Sequence, residues 1–235
     1  MKIVEFDARS YDGPEVFAAV MTGDVGVIHN VISEADAARA VDAALAWSKI
    51  EPVFDTKGGT AAPAPLQNFH RVDNNPALSK TKHIFHTFNL ENVKTISGAE
   101  GVAMSGIFET LVQVDNRLMG KRGNLAPTKD DGVNFHPQII HYPKGGGFFD
   151  RHTHPLDPQK IGLIASLTKK NEHFDKGGTL FWKDEAEVDA EPAQTIGSVT
   201  LFRFDLPHAV SKVDPEAQLE FGKPNGRWVA VLPYR

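Results

Sequence analysis

Two histidines separated by one residue, His152 and His154, close a stretch rich in glycine and phenylalanine. If this stretch is an extended strand, both imidazoles lie on one face, because side chains along a strand alternate between its two faces. Two imidazoles on one face can bind the same metal ion, and a third ligand from another strand would leave coordination positions open for a substrate or for oxygen. His208, which follows a later predicted strand and a short turn, is the best third candidate. The sequence therefore predicts a metal site formed by His152, His154 and His208.

The composition restricts which ligands a metal could have and which partners the chain could bind. The chain has 235 residues with ten histidines and no cysteine, so disulfides, iron–sulfur clusters and thiolate ligands are excluded. A transition metal would therefore have imidazole and carboxylate ligands. The 25 basic and 30 acidic residues give a net charge of −5, and the basic residues are dispersed, which argues against a nucleic-acid partner.

Hydrophobic patterning also argues against a membrane partner. The sequence contains no apolar run near the roughly 18 residues of a membrane span. The N-terminal residues 1–7 include Glu5 and Asp7, which are unlike the apolar part of a signal peptide. We therefore expect a cytoplasmic protein, and the sequence does not indicate an oligomeric state.

The first half of the chain, residues 1–133, has mixed signals. Residues 25–28 predict a short strand, and Ser33 with Asp36 predicts the capped start of a helix. Apolar residues at helical spacing predict a second helix over about residues 99–118. Loops rich in glycine, proline or polar residues are predicted at two places, residues 57–65 and residues 120–132.

The second half, residues 134–235, predicts a β-rich core. Six strand-like runs alternate with turn signals, namely Phe135–Tyr142, Gly147–His152, Ile161–Leu167, Thr179–Trp182, Ser198–Phe204 and Trp228–Leu232. The connections are too short for crossover helices, so the strands are expected to be antiparallel. We therefore expect one domain over residues 1–235, α+β but mainly β, in which N-terminal helices support a β-sandwich or barrel.

Five short motifs in this β-rich half occur in an order typical of one family. They are Tyr142-Pro-Lys-Gly-Gly-Gly-Phe148 before His152, Gly177-Gly-Thr-Leu-Phe-Trp182, Ile196-Gly-Ser-Val-Thr-Leu-Phe202, Leu206-Pro-His208-Ala-Val-Ser-Lys-Val213 and Gly226-Arg227-Trp-Val-Ala-Val231. The ordered set resembles the Fe(II)/2-oxoglutarate-dependent oxygenases, in particular their prolyl-hydroxylase-like branch. The match requires one extra residue before His152 and an insertion over residues 214–225.

The resemblance implies a double-stranded β-helix, also called a jelly roll, with supporting helices. It implies Fe(II), 2-oxoglutarate and O₂ as the metal and co-substrates, and oxidation of a substrate C–H bond, most simply its hydroxylation. Arg227 would bind the distal carboxylate of 2-oxoglutarate through its guanidinium fork, and Tyr142 would add a hydrogen bond. The family has an aspartate where this chain has His154, so Asp150 and Asp157 remain alternative carboxylate ligands.

The substrate is less well defined by the sequence. The chain length and the negative charge favour a small molecule, such as an amino acid or a biosynthetic intermediate, over a macromolecule. Arg71 and Arg151 could bind an anionic group of this substrate. Phe148 and Trp182 could contact it, although packing is the commoner role of such aromatic rings.

Two other functions fit parts of the pattern. Three-histidine cupins bind a metal through a His-x-His pair and a later histidine, without 2-oxoglutarate, but a cupin would not explain Arg227 or the glycine pair at Gly177. A jelly-roll module that binds a ligand without catalysis is the third possibility. Metal content separates this third possibility from both enzymes, and binding of 2-oxoglutarate separates the oxygenase from the cupin.

Overall fold

The computed structural model describes residues 1–49, 53–55, 69–74, 81–90, 98–120, 123, 125 and 135–234. The loop predicted at residues 57–65 lies outside these residues, as does most of the loop predicted at 120–132. The helices of the described part are α1 (Gly13–Met21), α2 (Glu34–Trp47) and α3 (Gly98–Met119). The strands are β1 (Ile3–Asp7), β2 (Val25–His29), β3 (Val53–Asp55), β4 (Phe69–Asp73), β5 (His83–Asn89), β6 (Gln138–Tyr142), β7 (Gly147–His152), β8 (Ile161–Ser166), β9 (Gly178–Lys183), β10 (Ala186–Asp189), β11 (Val199–Arg203), β12 (His208–Val213) and β13 (Arg227–Val231).

The strands form one curled sheet that folds into two facing layers. The large layer has the strand order β1-β2-β11-β8-β13-β6-β5-β4-β3, and the small layer has the order β7-β12-β9-β10. β5 pairs with both β6 and β7 and so joins the layers. The strands of the second half are antiparallel, as predicted, whereas β1 with β2 and β3 with β4 are parallel.

The helices cover the outer face of the large layer. Ser33 accepts a hydrogen bond from the backbone N–H of Asp36 at 3.1 Å, which caps α2 as predicted. The apolar stripe of α3, which includes Met104, Phe108 and Leu111, is fully buried in this outer core. Burial of one such side chain contributes about 1.5–3 kcal/mol, so the stripe fixes α3 on the sheet. None of the helices in the described ranges has the length and hydrophobicity needed to cross a membrane.

Side chains along each strand of the large layer point alternately to its two faces, which separates this outer core from an inner core between the layers. On β6, Ile139 belongs to the outer core under the helices, whereas Ile140 and Tyr142 belong to the inner core between the layers. β13 follows the same rule, with Trp228 outside and Val229 inside. The side chains that carry the predicted chemistry lie on the inner side.

The sequence pattern does not predict β1, α1, β3, β4, β5, β10 or β12. β10 has four residues and is mostly exposed, so it carries no period-two signal. α1 has ordinary start signals, with an Asp12 cap and a proline in the first turn, but it is only nine residues long. β12 begins at His208, directly after the Asp205–Pro207 turn. The sequence analysis places His208 after this turn but predicts no strand there.

Three buried histidines lie on the helix side of the large layer. His86 and His141 are directly opposite each other on β5 and β6, and His70 Nδ1 is 3.0 Å from His86 Nε2. His141 stacks on Trp228 with ring centroids 4.1 Å apart, and its Nε2 donates to the Asn225 carbonyl at 2.8 Å. Burial lowers the pKa of His86 to about 3 and the pKa of His141 to about 4, so both rings are neutral near pH 7.

We expect the folding stability to fall as the pH drops from 6.5 towards 4. His141 binds a proton near pH 6.5 in the unfolded chain but only near pH 4 in the folded chain, so its contribution is complete above pH 6.5 and is lost as the pH falls. The shift corresponds to roughly 3 kcal/mol for this residue. Urea unfolding of the wild type and of His141→Phe, at about pH 7.5 and about pH 5, measures the effect, and the variant should lose less stability. Equal losses in the two proteins would contradict a neutral, buried His141.

Candidate metal centre

The structure brings His152, His154 and His208 together. One ring nitrogen of each histidine lies within 4.8 Å of the others. The ring centroids are 4.2 Å apart for His152 and His208, 4.9 Å for His152 and His154, and 5.3 Å for His154 and His208. This spacing allows one divalent ion to bind all three rings, and no other group of histidines and carboxylates among the described residues has it.

Strand pairing positions the first and the third of these histidines. His152 at the end of β7 lies directly opposite His208 at the start of β12. Between this pair and the next one, Phe149 with Val210, β7 has one more residue than β12. Such a β-bulge bends the strand locally and re-aims its side chains. It leaves both Phe149 and His152 on the cavity side.

His154 lies beyond the end of β7 and is held by Phe204. Its backbone N–H donates to the Phe204 carbonyl at 3.3 Å, and the two rings stack with centroids 4.4 Å apart. Asp150 is exposed, and Asp157 is an exposed residue whose carboxylate lies 3.5 Å from Lys160 Nζ. The structure therefore brings His154 into the cluster and neither aspartate.

Backbone carbonyls orient two of the three imidazoles. Nδ1 of His152 is 2.8 Å from the Asp150 carbonyl oxygen, and Nδ1 of His208 is 2.9 Å from the Leu206 carbonyl oxygen. A carbonyl oxygen only accepts hydrogen bonds, so Nδ1 carries the proton in both neutral rings. Nε2 then keeps its lone pair, which is the form of the ring that binds a metal.

Burial keeps all three rings uncharged near neutral pH. Desolvation lowers the pKa of His152, lowers the pKa of His154 to about 4 and lowers the pKa of His208 to about 3. The neighbouring imidazoles add to the effect at His154 and His208. A divalent cation would therefore displace no proton from these rings at pH 7. Because no carboxylate belongs to the cluster, the bound ion would keep its full double positive charge.

The triad borders a cavity of about 300 Å³ between the two layers. Its apolar wall includes Ile140, Phe149, Phe202 and Val210. Tyr142 and Thr179 add polar groups to the wall, and Thr179 pairs with Val210, two positions along β12 from His208. We call this polar region, together with the adjoining Arg227, the inner end of the cavity. A volume of this size suits a small ligand.

Arg227 is buried at the inner end, with 1% of its surface exposed. Its Nε donates to both carboxylate oxygens of Glu191, at 3.1 and 3.0 Å. Its Nη2 donates to Thr179 Oγ1 at 2.6 Å and to Gln194 Oε1 at 3.0 Å. Nη1 is buried and has no hydrogen-bond partner in the part of the chain that the structure describes. An unpaired buried donor costs about 1–3 kcal/mol, and a ligand carboxylate that reached the inner end would remove this cost.

Tyr142 lies opposite Arg227 in the pairing of β6 with β13. The guanidinium carbon of Arg227 is 5.9 Å from the Tyr142 ring centroid. Burial raises the pKa of Tyr142 to about 12, so the hydroxyl keeps its proton and can donate a hydrogen bond into the cavity. Both residues thus fit a ligand that places a carboxylate at the inner end.

The four residues predicted to contact the substrate do not line this cavity. The Arg151 guanidinium carbon lies 4.9 Å from the Trp182 ring centroid, and Phe148 is buried without reaching the cavity. Arg71 on β4 lies 3.4 Å from the Asp73 carboxylate. Their roles in substrate binding stay predictions, and any such role would lie outside the cavity wall.

Sequence patterns do not identify Glu191 and Gln194, although both hold Arg227. The available signal is indirect and comes from the glycine pair Gly177–Gly178 at the start of β9. Gly178 has a φ of +143°, and a Cβ at this position would lie 2.6 Å from the Cβ of Glu191. A glycine required by the close approach of a side chain identifies that side chain only once the fold is known.

Comparison with solved structures identifies the fold, whereas no protein-family model and no curated protein matches the chain. A prolyl-4-hydroxylase from Pseudomonas putida has a TM-score of 0.55 and 16% identity, over 95% of this chain and 98% of that one. A prolyl hydroxylase from Trichoplax adhaerens, solved with a peptide of a hypoxia inducible factor, has a TM-score of 0.59 and 15% identity, over 94% and 88%. An oxidoreductase of the 2OG-Fe(II) oxygenase family from Burkholderia pseudomallei has a TM-score of 0.53 and 12% identity, over 98% and 95%.

The chain has the double-stranded β-helix fold of these oxygenases. The predicted jelly roll with supporting helices is therefore confirmed. Identities of 12% to 16% show the fold alone, so an activity has to be argued from the residues of the site.

We expect the His208→Ala variant to lose most of its affinity for divalent metals. Loss of a group that only orients a ligand already costs about 10–100-fold in metal affinity, and loss of one of three ligands should cost more. Titration with Co(II), followed by visible absorption and calorimetry, measures this affinity. His29→Ala is the control, because His29 contacts Glu5 rather than the triad, and it should bind like the wild type. Equal Co(II) binding by the wild type and His208→Ala would show that the triad is not a metal site.

Proposed function

We propose that the chain is a non-haem Fe(II) oxygenase that uses 2-oxoglutarate and O₂ to oxidise a C–H bond of a small molecule. The observation that carries this proposal is the triad of neutral imidazoles beside an apolar cavity whose inner end holds a buried arginine. Three protein ligands leave positions on iron for a bidentate oxo acid and for O₂. The fold shared with the three oxygenases supports the proposal.

The overall reaction would convert 2-oxoglutarate, O₂ and a substrate R–H into succinate, CO₂ and R–OH. One oxygen atom enters succinate and the other enters the product. Oxidative decarboxylation of the oxo acid supplies two electrons, and the C–H bond supplies the two others that reduce O₂. Bound iron would supply the activation of O₂.

The residues of the chain would bind and orient the reactants. The carbonyls of Asp150 and Leu206 hold two imidazoles with Nε2 free for the ion. The Tyr142 hydroxyl and Arg227 Nη1 would donate hydrogen bonds to the distal carboxylate of the oxo acid. The apolar wall limits the access of water, which protects reactive species from side reactions.

A small-molecule substrate, such as an amino acid or a biosynthetic intermediate, accords with the size of the cavity. The net charge of −5 and the dispersed basic residues argue against a nucleic acid as the substrate. Screening small acids and amines for substrate-dependent formation of succinate would identify the substrate class.

A metal-dependent dioxygenase that does not use 2-oxoglutarate is the second candidate. It is favoured by the three-histidine cluster, which has no carboxylate ligand. Consumption of O₂ by the Fe(II) protein with a small-molecule substrate but without 2-oxoglutarate would support this candidate over the first.

We expect 2-oxoglutarate to produce a visible charge-transfer band when it is added to the Fe(II)-loaded protein without oxygen. Tyr142→Phe should weaken this binding about 10-fold or more, because a hydrogen bond to a charged group contributes about 1.5–3 kcal/mol. Anaerobic titration followed by absorption gives both affinities. Tyr11→Phe, in the outer core, is the matched control and should titrate like the wild type. A wild type that binds Fe(II) but develops no band would exclude the use of 2-oxoglutarate.

A further inference from the structure

A buried carboxylate already neutralises the arginine of the inner end. Glu191 is 3% exposed, and its carboxylate accepts hydrogen bonds from Nε of Arg227 and from the backbone N–H of Thr179 at 2.9 Å. The two opposite charges lie 3.0 Å apart. A ligand in the cavity therefore meets a nearly neutral pair rather than a free cation, because the two Coulomb interactions oppose each other.

The hydrogen bonds around this pair also restrict what Arg227 can offer. Nε is engaged by Glu191, and Nη2 is engaged by Thr179 and Gln194. Gln194 is fixed in turn, because its Oε1 also accepts from Ser166 Oγ at 3.0 Å. Two adjacent guanidinium nitrogens normally bind a carboxylate as a fork. Here only Nη1 is left for a ligand.

Two buried donors, one on Arg227 and one on its neighbour Gln194, nevertheless lack an acceptor. Arg227 Nη1 and Gln194 Nε2 are both buried without a hydrogen-bond partner among the described residues. The two side chains contact each other through Nη2 and Oε1. A carboxylate has enough lone pairs to accept from both donors and from Tyr142. The inner end is thus rich in hydrogen-bond donors but poor in net positive charge.

We propose that Glu191 sets the co-substrate preference of the cavity by cancelling the charge of Arg227. The distal carboxylate of an oxo dicarboxylic acid would be bound through hydrogen bonds, with little net charge attraction. Glu191 then lowers the affinity for a dicarboxylic oxo acid relative to a monocarboxylic oxo acid of the same chain length. This inference rests on the proposed function, because it places the oxo acid in this cavity.

Titration calorimetry of the Mn(II)-loaded protein with two oxo acids tests the inference. 2-Oxoglutarate has the distal carboxylate, whereas 2-oxopentanoate has the same chain length without it. 2-Oxopentanoate therefore reports binding of the oxo acid group at the metal alone. Glu191→Gln keeps the size of the side chain and an acceptor oxygen but removes the charge. We expect this variant to bind 2-oxoglutarate about tenfold more tightly and 2-oxopentanoate as the wild type does. Glu187→Gln, at an exposed position of β10, is the matched control and should change neither affinity.

Thermal unfolding gives a second measurement on the same proteins. Removal of one partner leaves the other charge buried and unpaired, so Glu191→Gln without ligand should unfold at a lower temperature than the wild type. 2-Oxoglutarate should then raise its Tm by more than it raises that of the wild type. If Glu191→Gln does not fold, Gln194→Glu adds a carboxylate beside Nη2, and Gln194→Met, which removes the Nε2 donor without adding a charge, is its control. Gln194→Glu should then bind 2-oxoglutarate, relative to 2-oxopentanoate, more weakly than Gln194→Met does.

The outcomes separate this inference from the proposed function. If Glu191→Gln binds 2-oxoglutarate no more tightly than the wild type, or if the affinities for both oxo acids change equally, Glu191 only positions Arg227 and the inference is wrong. If Mn(II) binds but neither oxo acid binds to the wild type or to the variants, the proposed function fails and the inference fails with it.

Discussion

The antiparallel pairing of β7 with β12 places two of the three histidines of the triad, His152 and His208, and one side of the cavity wall. This pairing sets His208 opposite His152, although the two histidines are far apart in the sequence, and the bulge in β7 aims His152 inwards. On its other edge β12 pairs with β9, which brings Phe181 opposite His208 and Thr179 opposite Val210. A shift of one residue in this register would turn the imidazoles to the other face of the layer.

The inner end depends on a second pairing, that of β13 with β6. It places Arg227 opposite Tyr142 on the inner side of the large layer. The inserted residues 214–225 connect β12 to β13 and pack closely: a Cβ at Gly145 would collide with the backbone of the insertion. The insertion therefore closes over the turn between β6 and β7. One continuous stretch of chain, β12 with the insertion and β13, therefore supplies residues to both ends of the cavity. It supplies His208 to the triad and Arg227 to the inner end.

Sequence patterns predict features that depend on local spacing and miss those that depend on register. The Ser33 cap and the apolar stripe of α3 follow from the geometry of single elements, and both are found in the structure. His152 and His154 do come together, but not on one extended strand as expected, because β7 ends at His152 and Phe204 holds His154. Glu191 could not be found in this way, because its contact with Arg227 depends on how a turn after β10 packs against a distant strand. Arg151 was a plausible substrate ligand only while its face of β7 was unknown, and the bulge decides that face.

His154 in the triad and Glu191 beside Arg227 together decide where positive charge would face the cavity. With three neutral imidazoles a divalent ion keeps both charges at the metal end, whereas the Arg227–Glu191 pair adds none at the inner end. A doubly negative oxo acid would therefore meet positive charge beside the triad and a nearly neutral pair at the inner end. In the proposed function, such an acid would be held mainly by the ion, and its distal carboxylate mainly by hydrogen bonds. The charge of Glu191, and not only the presence of Arg227, therefore decides how strongly the cavity favours a dicarboxylic acid.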